Sequence, residues 1–229
     1  MPTGRLAADI LAKLPLFRHT SPARLAEVAR HARTEHVPRG AVIASRGERP
    51  RGLMAVAYGL VKLSLRGEIE KVLRLVGPGE TFAEAVLFLD KPLPVEAVAL
   101  ADTLLVVVRA APLLALIDAD RGFARGLLAS MSQRMHELVM DFESTTQHGA
   151  RERLAAYLDS LAPPGAEHPC VQLPASKTVV AARLGVTKET LSRLLRQMGE
   201  EGLIAMAKRD ITLRDRAALA AAARGGRPA

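Results

Sequence analysis

A short stretch near the carboxyl-terminal end of the chain carries side chains that could recognise nucleic acid. From Lys188 to Met198 apolar residues recur at helical spacing, which predicts an amphipathic helix with one polar face. Glu189, Ser192 and Arg193 lie on that polar face. Arginine can bond guanine in a bidentate manner, glutamate can accept a hydrogen bond from cytosine, and serine can serve either role. These three residues are therefore predicted to read bases in the major groove of DNA.

Two flanking elements are needed to present this face. Residues 176–184 predict a first short helix, Gly185 allows a left-handed turn, and Thr187 is predicted to cap the second helix. Residues 202–213 then predict a β-hairpin wing with a basic tip. Side chains expected to contact phosphates surround the base-reading face: Ser176, Lys177, Thr187, Lys188, Arg196, Lys208 and Arg209. An ordinary packed helix pair is the alternative, but the cap, the turn and the wing together favour a winged helix-turn-helix.

The charge of the chain is compatible with a polyanionic partner. The 229 residues carry a formal net charge of +8 and are 49% hydrophobic, which indicates a folded protein with a basic surface. Residues 151–229 hold 13 Lys and Arg against 8 Asp and Glu, so the basic excess is concentrated in the last third. Neutralisation of phosphates supplies much of non-specific DNA affinity. A solvated basic surface without a partner fits the charge equally well.

A long helix with one narrow apolar stripe is predicted before the basic third. Its stripe positions are separated alternately by four and three residues, at Ala124, Leu128, Met131, Met135, Leu138, Phe142 and Thr145. This heptad spacing is typical of a coiled-coil seam. We expect the five large side chains of the stripe, from Leu128 to Phe142, to pair two copies of the chain across a two-fold axis. Packing of the stripe on the chain's own β domain is the alternative.

The first half of the chain predicts a small β domain. Before it, residues 6–32 predict two or three short helices. Between Val37 and Val108, short β-prone runs alternate with turns rich in Gly and Pro, which is typical of an antiparallel barrel or jelly roll. The sequence thus predicts an α+β chain in three parts. These parts are a sensor jelly roll over 1–110, a dimerisation helix over 111–148 and a winged-helix DNA-binding domain over 149–229.

In element order and in motif, the chain from about Leu11 to Leu219 resembles the CRP/FNR family of transcription regulators. Members of that family join a double-stranded β-helix of the cyclic-nucleotide-binding type to a long dimerisation helix and a winged helix-turn-helix. Their Glu-x-x-Ser-Arg pattern falls on Glu189, Ser192 and Arg193, and in FNR-like members it implies a palindrome with TTGAT-type half-sites. The resemblance implies a regulator without enzymatic activity, with double-stranded DNA, a second copy of the chain and RNA polymerase as partners.

A second set of motifs points to one branch of this family. The phrase Gly-Glu-Thr-Phe-Ala-Glu-Ala at residues 79–85, followed by Phe88 and Asp90, resembles regulators of nitrate respiration and of the response to nitric oxide. Residues 173–177, Leu-Pro-Ala-Ser-Lys, support the same branch. The resemblance therefore implies a regulator of the DNR/NNR type.

The predicted effector pocket departs from members that bind cyclic AMP. Phe82, Glu84 and Val95 are expected to border this pocket. The resemblance implies an Arg-Ser pair on the cyclic phosphate, but the corresponding positions are Pro94 and Val95. Neither residue offers a charge or a side-chain donor, which argues against cyclic AMP. Glu84 remains available for another ligand or for capping a turn.

Cysteine and histidine content limits the metal chemistry. The single cysteine, Cys170, excludes an internal disulfide and an iron–sulfur cluster held by four cysteines. The DNR/NNR resemblance implies haem, but none of the six histidines lies in a haem-attachment motif, and Met131 and Met135 fit the seam better than a metal. The effector and any metal ligand stay unknown, with haem left open.

Two other functions fit parts of the sequence. A cupin-type enzyme needs clustered histidines on neighbouring strands, whereas residues 37–108 contain no histidine. A regulatory interaction module would use the barrel alone and would not need the base-reading residues. No apolar run approaches the roughly 20 residues that span a bilayer, and the first residues lack the order of a secretory signal. A cytoplasmic location without a membrane partner is therefore expected.

Overall fold

The structure divides the chain into two units. It is a computed structural model that describes residues 3–207 and 210–224, without the side chains of residues 3, 4 and 85–87. The first unit combines residues up to 68 with residues 73–136, and the second combines residues 69–72 with residues from 137 onward. The boundary near residue 136 falls inside one long helix.

The first unit combines helices with two antiparallel sheets. Its helices are α1 (Thr3–Ala12), α2 (Pro22–Arg30), α3 (Glu84–Leu89), α4 (Ala110–Ala119) and the first part of α5 (Arg121–Gln147), with a 3-10 turn at Pro15–Phe17. The strands of the two sheets are β1 (Ala32–Val37), β2 (Val42–Ala44), β3 (Leu53–Tyr58), β4 (Val61–Leu65), β5 (Lys71–Val76), β6 (Thr81–Phe82), β7 (Glu96–Ala99) and β8 (Thr103–Val108). The first two residues of β5 belong to the second unit by the division above. The two sheets have the strand orders β1-β8-β3-β6 and β2-β7-β4-β5.

Strand β8 shows how the core of this unit is divided. Every residue of β8 is buried, because its two faces belong to two different apolar clusters. Leu105 and Val107 join the cluster between the two sheets. Val106 and Val108 join a second cluster with side chains of α1, α2, α4 and α5. A strand covered on both faces carries a continuous apolar run rather than an alternating one. The sequence of β8, Thr-Leu-Leu-Val-Val-Val, contains such a continuous run.

The predicted series of short strands between Val37 and Val108 is confirmed, but β1 was missed. Its sequence, Ala-Arg-Thr-Glu-His-Val, lacks apolar alternation because β1 is an edge strand that pairs only with β8 among the described strands. Edge strands commonly carry charged side chains, which hide them from pattern analysis. The β region therefore begins before the predicted limit at residue 37, and it includes His36 on β1.

The segment predicted as a dimerisation helix contains two helices. Helix α4 ends before Asp120, and the Asp120 carboxylate then accepts a hydrogen bond from the backbone N–H of Phe123 at 3.0 Å. This contact caps the start of α5, which continues for 27 residues. Leu113 and Leu116 of α4 are buried in the first unit. The heptad stripe therefore lies on α5 alone.

The second unit contains the predicted winged helix. Its elements beyond α5 are α6 (Ala150–Ser160), β9 (Cys170–Gln172), α7 (Lys177–Leu184), α8 (Lys188–Glu200), β10 (Ile204–Ala207), β11 (Asp210–Leu213) and α9 (Arg216–Ala223). The strands form an antiparallel sheet in the order β10-β11-β9. One apolar cluster, which includes Leu154, Leu191 and Ile211, joins the helices to this sheet. Sequence analysis predicted the helix pair α7 and α8 and the hairpin of β10 and β11, but not α9, which the side chain of Asp215 caps.

Candidate nucleic-acid interface and effector region

The turn between α7 and α8 has the local geometry that its residues predict. The backbone N–H of Val179 donates to the Ser176 hydroxyl at 3.4 Å, so Ser176 caps α7. Gly185 then adopts a left-handed φ of 66°, which an L side chain tolerates poorly. The N–H of Thr190 donates to the Thr187 hydroxyl at 3.2 Å, and this bond caps α8. Both helix starts and the turn between them are thus determined by short-range bonds.

Helix α8 divides into a buried face and an exposed face. Its leucines and Met198 pack into the apolar cluster of the second unit. On the other face Glu189 and Arg193 are exposed, and Ser192 is half-buried. Positions three and four apart lie on the same side of a helix, so the three polar side chains are neighbours. Among the described residues, neither Glu189 nor Arg193 makes a hydrogen bond or ion pair, and both are available to a ligand.

The predicted phosphate contacts surround this face where the structure describes them. Lys188 and Arg196 are exposed on α8, and Lys177 is half-buried at the start of α7. The hydroxyls of Ser176 and Thr187 already accept capping bonds, but a hydroxyl can still donate to a phosphate. Lys208 and Arg209 lie outside the described residues, between strands β10 and β11. The register Ala207↔Asp210 confirms the hairpin that would carry them.

The predicted dimer stripe on α5 is exposed to solvent in the single chain. Leu128, Met135 and Phe142 are 66%, 66% and 71% exposed, and Met131 and Leu138 are exposed as well. The side chains of α5 that reach the core are instead Phe123 and Leu127. Within the first unit, the stripe residues Leu128, Met131 and Met135 are therefore not buried against its β domain, which was the alternative considered from the sequence.

Glu84 in the effector region already has partners from its own chain. It is 4% exposed, and its carboxylate accepts a hydrogen bond from the Thr81 hydroxyl at 2.5 Å. The Arg134 guanidinium on α5 donates to the other carboxylate oxygen at 2.6 Å and to the Thr81 carbonyl at 2.7 Å. A ligand that needs the Glu84 carboxylate must therefore displace or join Arg134.

The other two residues predicted to border the effector pocket are Phe82 and Val95. Phe82 on β6 is buried in the cluster between the sheets. Val95 is half-buried and precedes β7, which belongs to the opposite sheet. The two cavities that lie against α2, α4 and the ends of β1 and β8 are not lined by Phe82, Glu84 or Val95. The backbone between Phe82 and Glu84 is strained, since Ala83 has a φ of 71°.

Arg134 is the residue of this region that sequence analysis missed. It lies between stripe positions on α5, where a charged residue is expected to face solvent. Its partner Glu84 is 50 residues away in the sequence. No local signal connects the two positions, and only the packing of α5 on the first unit brings them together.

The described residues show no obvious metal centre. They contain no group of three or more His, Cys, Asp or Glu side chains placed to hold a metal ion. His19, His31, His36, His136 and His168 are exposed, and His148 is half-buried. Within the same residues, no helix is both long and apolar enough to cross a bilayer.

Comparisons with known proteins agree with both units. A model of the Crp-like helix-turn-helix domain matches residues 152–222. A model of the cyclic nucleotide-binding domain matches residues 34–120. The chain is 30% identical to the cyclic AMP receptor protein of Thermus thermophilus over 207 residues, which cover 90% of this chain and 94% of the relative.

This chain belongs to the CRP/FNR family of transcription regulators. A solved CRP/FNR-family regulator, also from Thermus thermophilus, is 28% identical, with a TM-score of 0.66, and the match covers 83% of this chain and 98% of that one. FixK2 from Bradyrhizobium japonicum shares the fold with a TM-score of 0.73 at 24% identity, over 86% of this chain and 98% of FixK2. The predicted α+β fold, with a β domain of the cyclic-nucleotide-binding type and a carboxyl-terminal helix-turn-helix domain, is therefore confirmed.

Proposed function

We propose that this CRP/FNR-family chain is a homodimer that binds a palindromic DNA site with TTGAT-type half-sites and regulates transcription with RNA polymerase. The observation that carries the proposal is the exposed face of α8. There Glu189 and Arg193 have no partner in the described part of the chain, and Ser192 lies beside them. A polar face without internal partners on the second helix of a winged helix is suited to base readout.

Each polar side chain has a distinct proposed role. Arg193 would pair with guanine and Glu189 would accept from cytosine, with Ser192 supporting either contact. Lys188 and Arg196 would contact phosphates on the two sides of this trio, together with the start of α7 at Ser176 and Lys177. Phosphate contacts position the protein without reading sequence, so only the trio would determine the half-site.

The exposed stripe on α5 supports a dimer. Five large side chains spaced by three and four residues form a seam that a second copy of α5 can cover in a parallel pair. A two-fold axis would present two copies of α8 to DNA, and the target of a symmetric dimer is a palindrome. The proposed two-fold dimer therefore requires a palindromic site, and evidence against either one counts against the other.

Binding to three duplexes tests this function. One duplex carries the TTGAT-type palindrome, the second carries one half-site and the third carries the same bases in scrambled order. We expect the palindrome to bind at least about a thousandfold more tightly than the scrambled duplex, as specific sites commonly do. The affinity should fall steeply with salt on all three duplexes. Equal affinity for the palindrome and the scrambled duplex would instead support a regulatory interaction module.

We also propose that the effector is not cyclic AMP. Pro94 and Val95 offer no charge to a cyclic phosphate, and Glu84 is engaged by Arg134. The similarity to the cyclic AMP receptor protein of Thermus thermophilus favours the opposite result, namely that cyclic AMP binds. Titration with cyclic AMP in a thermal-shift assay and in the palindrome assay decides between the two, because a ligand that binds only the folded protein raises its melting temperature. A rise in melting temperature together with tighter DNA binding would overturn this proposal.

Placement in the DNR/NNR branch, with haem as a nitric-oxide receptor, is the finer proposal that motifs at residues 79–85 and 173–177 support. Absorption spectra of haem-supplemented protein, before and after exposure to nitric oxide, test it. We expect a Soret band displaced from that of free haem and a further shift with nitric oxide. A spectrum identical to free haem would remove haem from the proposal and leave the DNA-binding function intact.

A further inference from the structure

Two adjoining cavities open on the surface of the first unit. One has a volume of about 510 Å³ and lies between α2 and α4. The other has a volume of about 330 Å³ and lies against the paired ends of β1 and β8. His31 and Arg109 line both cavities, so the two spaces form one cleft. Small-molecule sites typically occupy about 300–1,000 Å³, and the cleft has the size of such a site.

One half of this α2–α4 cleft is cationic. Arg33, Arg51 and Arg109 line it together with His31. Glu35 holds two of the guanidiniums, with Arg33 Nε at 2.8 Å and Arg51 Nη1 at 3.1 Å from its carboxylate oxygens. Arg51 also donates to the carbonyl of Ile43 at 2.9 Å. One carboxylate therefore positions two guanidiniums and leaves a net positive charge for an incoming anion.

Arg109 is the third guanidinium and has no such partner. In the described part of the chain it makes no hydrogen bond or ion pair, and it is exposed at the junction of the two cavities. It directly precedes α4, whose first turn has no side-chain cap. The partial positive charge of a helix start adds to that of the guanidinium. An anion at this junction would lie in the cavity that Arg109 lines together with Arg33 and Arg51.

The other half of the cleft is apolar. Val28 of α2 and Leu116 of α4 line it and are almost completely buried. Pro112 and Ala115 extend this wall along α4 from the cationic junction. Besides His31 and Arg109 at the junction, the polar side chains that line this half are Arg24 and Glu27, and Arg24 Nε lies 3.8 Å from a carboxylate oxygen of Asp120. An alkyl chain could lie along α4 with its headgroup at Arg109.

We propose that the α2–α4 cleft binds an amphipathic anion, an acyl or alkyl chain of medium length with a carboxylate or phosphate headgroup. Arg109, Arg33 and Arg51 bind the headgroup, and the wall of Val28, Pro112 and Leu116 covers the chain. This site is separate from Glu84 and does not depend on the proposed DNA sequence. A nucleotide fits it less well, because no Phe, Tyr or Trp lines either cavity to stack on a base.

Calorimetric titration of the full chain with four probes tests the proposal. The probes are decanoate, decyl phosphate, decanol and inorganic phosphate, each below the concentration at which micelles form. We expect both amphipathic anions to bind at least tenfold more tightly than decanol or inorganic phosphate. The ratio between decanoate and decyl phosphate then identifies the headgroup. Equal binding of decanol and decanoate would overturn the proposal, and so would a preference for adenosine monophosphate, titrated as a further probe, over both anions.

Three variants locate the binding. Arg109→Ala should weaken decyl phosphate binding about tenfold, whereas Arg46→Ala removes an exposed arginine outside the cleft and should leave it unchanged. Ala115→Trp should block the apolar half and abolish binding of both anions. Ala115 is exposed, so the unfolding temperature of this variant should match that of the wild type. Equal effects of Arg109→Ala and Arg46→Ala would show that the anions bind only through the general basic surface.

Discussion

The exposed face of α8 and the region around Glu84 differ in how their polar side chains are engaged. In the winged-helix unit, Glu189 and Arg193 have no internal partner among the described residues and lie exposed on α8. In the β unit, the carboxylate of Glu84 is buried and bonded to Thr81 and Arg134. The first arrangement leaves binding capacity for DNA. The second satisfies a charge inside the fold, so a change there acts first on stability and only then on a ligand.

The largest effect should come from the seam that joins two copies of the chain. Leu138→Glu introduces a charge at an exposed stripe position of α5, where two copies would repel each other. We expect monomers in light scattering and a loss of about 100-fold or more in palindrome affinity, which is the avidity that two linked sites commonly supply.

Leu114→Glu is the matched control for this seam variant. Leu114 is an exposed leucine on α4, away from the stripe, and its replacement should leave the dimer and the palindrome affinity unchanged. A Leu138→Glu protein that still scatters as a dimer would contradict the assignment of the seam.

The second-largest effect should come from removing the ion-pair partner of the buried Glu84 carboxylate. Arg134→Met leaves a buried carboxylate with only Thr81, and loss of one partner of a buried ion pair costs about 3–5 kcal/mol. We expect the free energy of unfolding in urea to fall toward the lower end of that range, because Arg134 is partly exposed. The double variant Arg134→Met with Glu84→Gln should recover part of the loss, since no unpaired charge remains.

An exposed pair provides the comparison for this buried one. Arg49 Nη1 lies 2.6 Å from Asp90 Oδ1, and the side chains of these two residues are 71% and 83% exposed. Arg49→Met should therefore change the free energy of unfolding by less than about 1 kcal/mol. Similar urea curves for Arg134→Met and Arg49→Met would show that the Glu84 pair contributes no more than a surface contact.

Smaller changes in the free energy of unfolding are expected at two backbone positions with left-handed φ, one in each unit. Gly185 and Ala83 both have left-handed φ angles, 66° and 71°, but only the first is a glycine. Gly185→Ala should destabilise by about 1–2 kcal/mol. Ala83→Gly relieves the same strain but adds freedom to the unfolded chain, so it should stabilise by at most about 1 kcal/mol. Urea unfolding measures both, and effects of the same sign would contradict the difference between the two positions.

The winged helix was predictable because its signals are local. A glycine in the turn, hydroxyl caps at Ser176 and Thr187 and an apolar period on α8 all act within a few residues of each other. The same reasoning predicted the strands that carry apolar runs, including β3 and β8. Elements whose identity rests on short-range bonds can therefore be derived from the sequence with accurate limits.

The parts that were missed depend on distant neighbours. Strand β1 is polar and exists because it pairs with β8, whose residues follow about 70 positions later in the register Ala32↔Val108. The contact between Arg134 and Glu84 depends on how α5 packs on the first unit. Tertiary packing, rather than residue type, determines these outcomes.

The most direct test of the central proposal is the binding of Arg193→Ala and Lys188→Ala to operators substituted at each half-site position. Arg193→Ala should lose about 1–3 kcal/mol of discrimination at one base pair of each half-site and little at the others. Lys188→Ala should weaken binding evenly across all sequences and reduce the salt dependence. The same even loss for Arg193→Ala would contradict base reading by α8.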